Sequence, residues 1–187
     1  MSCITNILYY DTAQSPLFEP ETRTAVFSAA KNYLLETKND EIQIETVRVL
    51  SNLSRHASFC ENDFQNDKSF LEAIVIVLEN TLRDLVFYSV GILINMSLHA
   101  SVNIYLLECD LIGKLVDVLK DSNLEDMDLA RVAAKALHNL QGVPGAQKYW
   151  TEDVVNKLDQ VTLSVGEELD SIMVSICGYK RYDWFKL

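Results

Sequence analysis

Glycine and proline are scarce in these 187 residues: six Gly and three Pro, the prolines at 16, 20 and 144, near the two ends. A sandwich or barrel draws on turn formers throughout, so the shortage argues against an all-β fold and for helices. Bases are outnumbered as well, with 16 Lys and Arg against 27 Asp and Glu and a formal charge of −11. A surface of that sign repels phosphate backbones and anionic lipid, which argues against nucleic acid and membrane as partners. A protein segment remains the better expectation, although net charge does not say where the charge sits. No apolar run reaches the ~18–20 residues of a membrane span. The opening MSCITNILYYDTAQSP lacks the basic-then-apolar order of a signal peptide. The four cysteines (Cys3, Cys60, Cys109, Cys177) form no CxxC pair. Reduced thiols in a cytoplasmic protein are therefore the expectation. A glycine-rich phosphate loop, a GxSxG elbow and an HExxH pair are all missing. The chain reads as no enzyme, with no catalytic residue, metal site or cofactor.

What is present is a globular composition, 49% apolar and 23% charged, enough for one well-buried domain. Four segments align: 3–10 (CITNILYY), 49–56 (VLSNLSRH), 92–99 (ILINMSLH) and 136–143 (ALHNLQGV). Each holds an Asn between apolar residues, and Asn6, Asn52, Asn95 and Asn139 are separated by 46, 43 and 44 residues. HEAT and armadillo units run ~40–47 residues. Apolar helices ending in NYLLET, IVIVLEN and LVDVLKD keep the register, with Leu35 and Leu78 each 17 residues before the next Asn. From Leu119 the distance is 20, because SNLEDMD lengthens that loop. His56 and His99 each follow their Asn by four and precede an Ala, so a structural role is expected of them. The sequons at Asn52 and Asn95 fall inside helical patterns and read as accidental.

The clearest unit divides into three helices. Residues 101–108 (SVNIYLLE) are a short first helix. Residues 111–120 (LIGKLVDVLK) put Leu111, Ile112, Leu115, Val116 and Leu119 on one helical stripe. Residues 126–141 form the longest, with Leu129, Val132, Ala133, Ala136, Leu137 and Leu140 on its stripe. Asp126 or Asp128 suits its N-cap, and Gly142 with Pro144 ends it.

Short helix, second helix, then a long third helix ending in A-L-x-N-L resembles the armadillo repeat. The resemblance implies an all-α, armadillo-type right-handed α-solenoid of about three full repeats with partial or degenerate terminal repeats. Its units would be a partial repeat at 1–15, repeats at 16–57, 58–100 and 101–143, a degenerate capping repeat at 144–178 and an aromatic, basic tail at 179–187. One departure concerns the family's Gly between first and second helices. Asp110 stands there, and Asp67 or a neighbour in the preceding unit; Asp tolerates left-handed φ better than most residues. Strings such as VRVLSNLSR, LVFYSVGILINMS and DLARVAAKALHNL are similar to a ciliary branch of the family tied to axonemal radial spokes. That likeness implies a ciliary or axonemal setting.

The start falls inside a third helix, which fits either a piece of a longer protein or a truncated capping repeat. At the other end GYKRYDWFKL holds Tyr179, Tyr182, Trp184 and Phe185. It either packs back on the last helices or anchors a partner.

The family resemblance implies that Asn52, Asn95 and Asn139 line a groove of third helices and bond the backbone of an extended peptide. A side-chain amide suits that task, offering donor and acceptor together. The alternative is that each Asn fixes the stacking of repeats. Four residues earlier stand Arg48, Gly91 and Lys135, where the fold's nuclear-import receptors carry Trp, so that role is not expected. Arg48, Lys135 and Arg131 put positive charge on the expected groove and suit an acidic partner segment; plain surface charge is the other reading. Glu125, Asp126 and Asp128, like Glu167, Glu168 and Asp170, sit where helix N-termini favour acids.

Overall fold

A computed structural model describes residues 19–64, 67–122 and 126–165, with side chains to 161. Among them the regular structure is helical: α1 (Pro20–Glu36), α2 (Asp40–Leu53), a π-helical turn (Phe59–Phe64), α3 (Lys68–Leu78), α4 (Arg83–Met96), α5 (Ala100–Glu108), α6 (Leu111–Asp121), α7 (Met127–Leu140), a 3₁₀ turn (Ala146–Tyr149) and α8 (Glu152–Val165). Helices α2, α4 and α7 are the third helices of successive units. They pack side by side, α2 on α4 and α4 on α7. This is a helical-repeat solenoid.

Side-chain caps start three helices. Asn39 accepts from the Ile42 N–H at 3.1 Å, Asp67 from Phe70 at 3.0 Å and Asp126 from Leu129 at 3.2 Å. Each satisfies a backbone donor that lacks a partner in the first turn. The α6 stripe is buried as its spacing requires. On α7 the buried face is rotated from the expected stripe: Ala130, Ala133, Ala134, Ala136, Leu137 and Leu140 are inside, while Leu129 and Val132 are half-buried. In α1 the buried leucine is Leu34, and Leu35 is 48% exposed, so the expected Leu35 register is off by one. Phe27, Ala30 and Leu34 form the inner face of that helix at the i, i+3, i+7 spacing.

The turn between first and second helices differs between units. Asp110 has φ 57°, the left-handed conformation expected there. Its carboxylate accepts from the Tyr149 hydroxyl at 2.5 Å, and the missing side chain of Gly113 makes room for it: a Cβ there would lie 2.7 Å from Asp110 Oδ1. Asp67 departs from the expectation, with φ −106°, and serves as the N-cap of α3. In its unit the first helix is only the π-helical turn, which inserts Phe59 and Phe64 into the core. Phe64 lies 5.0 Å from Phe27 and 4.8 Å from Phe70, ring centre to ring centre. Three clustered rings bury much apolar surface from a short segment.

Candidate partner-binding surface

The third helices expose one face, and the expected residues share it. Asn52, Asn95 and Asn139 are half-buried at corresponding positions of α2, α4 and α7; Arg48, Gly91 and Lys135 stand one turn before them. Asn6 and the tail residues Tyr179, Tyr182, Trp184 and Phe185 lie outside the described residues.

Two of the asparagines make the same contact with the preceding unit. Asn95 Nδ2 donates to Ser54 Oγ at 2.9 Å and lies 3.4 Å from the Ser51 carbonyl oxygen. Asn139 Nδ2 donates to Ser97 Oγ at 3.0 Å and lies 3.3 Å from the Ile94 carbonyl oxygen. Each serine donates its own hydroxyl to that same carbonyl at 2.7 Å. A hydroxyl that already donates can only accept from the amide, which fixes which end of each Asn is nitrogen. The three distances close a triangle whose angle at Nδ2 is about 50° for both residues. Two amide hydrogens diverge by about 120°, so a single N–H is shared between the two acceptors. The second N–H and the Oδ1 oxygen of Asn95 and Asn139 make no hydrogen bond among the described residues.

The charges of the face are mostly paired already. Arg48 bonds Glu45 on its own helix, and its guanidinium lies 5.4 Å from the centre of the Tyr88 ring on α4. Arg131 sits 3.7 Å from Asp128. Lys135 is exposed and makes no ion pair among the described residues. At the start of the third helices Arg83 of α4 holds Asp126 through two bonds, 2.7 and 2.8 Å. The Arg83 hydrogen bonds keep the Asp126 carboxyl below the ordinary range, with the Leu129 N–H helping against desolvation. Lys31 reaches Asp67 at 2.6 Å, Lys114 reaches Glu79 at 2.5 Å and Lys157 Nζ donates to the Ser122 carbonyl at 2.8 Å. Each joins one unit to the next.

Among the described residues, neither titratable nucleophiles nor metal ligands gather elsewhere. Burial pushes the Cys60 thiol up to about 12, with Glu61 adding to it, and raises Cys109 too. Both thiols are free. His99 Nδ1 lies 3.2 Å from Glu61 of the π-helical turn, and burial lowers the pKa of His138. Among the described residues no His, Cys, Asp and Glu group could hold a metal, and no helix is long and apolar enough to cross a membrane.

Sequence reasoning found the Asn row but missed Ser54 and Ser97, although each stands two residues after its Asn in the aligned segments. It also missed the Arg83–Asp126 clamp, which joins residues 43 apart and has no counterpart at the same places in the first unit.

No family model matches the chain. Armadillo repeat-containing protein 2 from Mus musculus is 30% identical over 190 residues, covering 98% of this chain and 22% of that protein. The Bos taurus protein of the same name is 28% identical, covering 97% of this chain and 21% of its own. The chain thus spans about a fifth of the length of these curated relatives. The crystal structure of an engineered protein from the Northeast Structural Genomics Consortium aligns with a TM-score of 0.53 at 16% identity, over 95% of this chain and 74% of that one. With its Asn register and its stacked third helices, the chain is an armadillo-type solenoid that resembles Armadillo repeat-containing protein 2 along nearly all of its length.

Proposed function

We propose that the chain is a non-enzymatic interaction scaffold that holds an extended segment of a partner protein across α2, α4 and α7. The observation that supports this is the divided use of the asparagine amides. One N–H of Asn95 and of Asn139 stacks the repeats, while the other N–H and the oxygen remain to pair with a peptide unit. Stacking and binding are then two tasks of one side chain. Asn52 heads the same row, and Arg48, Arg131 and Lys135 flank it. Of the three cations Lys135 is the one without an ion pair, so an acidic partner residue belongs beside it. The resemblance to a ciliary branch of the family favours a place in cilium or axoneme, in radial-spoke assembly or transport, over a free cytoplasmic one.

A second reading has its own support. The Asn–Ser bonds would be equally needed in a solenoid segment that leaves this face empty and works through its N-terminal edge or its tail. Extracts of ciliated cells passed over the immobilised chain and over an Asn95→Ala/Lys135→Glu variant of intact helicity separate the two. Partners retained by the wild type and lost by the variant support the groove. Partners kept by both, and lost when residues 179–187 are removed, assign binding to the tail and refute it.

A further inference from the structure

Helix α4 differs from its two neighbours in what it turns outward. Its outer stripe is Phe87, Tyr88, Gly91, Ile94 and Asn95, all half-buried, continued just past its end by Leu98, which is 68% exposed. On α2 the same positions include Glu45, Arg48 and Arg55; on α7 they include Arg131 and Lys135. An apolar strip one helix wide therefore runs between two charged ones. The two rings are held in place. Phe87 and Tyr88 meet edge to face at 5.5 Å, Arg83 lies 5.2 Å from the centre of Phe87 and Arg48 lies over Tyr88. Gly91, one turn on, has no side chain; a Cβ there would meet the side chain of Ser51, its Oγ at 2.9 Å.

We propose, building on the groove reading, that this strip is an anchor site for a large apolar or aromatic residue of the extended partner, with an acidic residue two or three places along it facing Lys135. The dimensions favour a peptide. Its ten helical residues make a strip about 15 Å long and about 10 Å wide, far below the ~800 Å² per side of a stable dimer. A chain crossing it meets α4 at one or two residues, which is the footprint of a single anchor. Neighbouring helix axes lie about 8–10 Å apart and an extended chain rises about 3.3 Å per residue. The residue over α7 is thus the second or third after the anchor. Arg48, Arg83 and Arg131 are already paired with Glu45, Asp126 and Asp128, so Lys135 is the cation with charge to offer on that side.

A displayed library of random decapeptides, selected on the full chain, tests the assignment. The expected result is enrichment of Phe, Tyr, Trp or Leu followed or preceded at two or three residues by Asp or Glu. On Lys135→Glu the acidic preference should turn to Lys or Arg while the anchor persists. A selected peptide with its anchor changed to Ala should bind at least tenfold more weakly by fluorescence anisotropy. Enriched peptides without an anchor, or with an acidic preference that Lys135→Glu leaves unchanged, overturn the inference and leave the groove reading standing. No enrichment, or binding untouched by Asn95→Ala in a chain of intact helicity, overturns both. Self-association abolished by Leu98→Asp would give the strip to a second copy and likewise overturn it.

Discussion

At Asn139 one amide N–H, the Ser97 hydroxyl and the Ile94 carbonyl form a closed relay. Removing one member leaves the others partly buried and short of a partner, which costs more than the bond itself is worth. Asn139→Ala and Ser97→Ala should each lower stability by about 1 kcal/mol. The double variant should lose less than the two together, a coupling of about 0.5–1 kcal/mol in urea denaturation. Strict additivity would mean that the contact contributes nothing. Cys60 gives a second test at this scale. With no exposed surface and a thiol pushed up to about 12, it stays protonated and unreactive at neutral pH. Peptide mass spectrometry after maleimide treatment should find Cys60 unlabelled in the native protein and labelled in urea. Its raised pKa also means that any stability linked to this group is present below the ordinary thiol range and lost as pH rises towards 12.

Among the helices, α7 depends most visibly on one residue at its start. Asp126 caps it and receives Arg83 from α4, so a single carboxylate both begins a helix and docks it on its neighbour. Asp126→Ala should cost about 1–2 kcal/mol, the cap providing most of it; the ion pair is half exposed and contributes less. The pH dependence has a definite sign. The folded pKa is lowered, so the stabilisation is complete above the unfolded value of about 3.9 and is lost as pH falls through the lower folded value. Melting temperatures between pH 6 and pH 2.5 should therefore fall more steeply for the wild type than for the variant. This element was half legible beforehand. The cap could be read from an acid before an apolar period, whereas the arginine 43 residues away could not.

In the whole molecule each unit is tied to its neighbours by a few cross-contacts: Lys31 to Asp67, Asn95 to Ser54, Arg83 to Asp126, Asn139 to Ser97 and Tyr149 to Asp110. Such a stack is stabilised by nearest-neighbour interfaces and opens locally. Helix α4 packs against α2, α3 and α7, while α5 packs on α6 and the π-helical turn and turns Ile104 and Tyr105 to solvent. Hydrogen exchange should accordingly be slowest in α4 and about tenfold or more faster in α5. Equal protection throughout would show one cooperative block rather than a solenoid.

The sequence by itself determined the solenoid, because a 43-residue recurrence of Asn within an apolar period constrains every unit in the same way. It also determined the bounds of α5, α6 and α7 to within a residue or two, and the left-handed turn at Asp110. Only the tertiary structure decided which leucine of α1 points inward, that Asp67 is a cap, and that Arg48 and Arg131 are paired. It also decided that Asn95 and Asn139 bond Ser54 and Ser97 of the preceding unit. Those outcomes depend on side chains about 40 residues apart meeting across a helix interface. A one-dimensional period records that such residues recur, and the angle between two acceptors at a nitrogen exists only once the helices have packed.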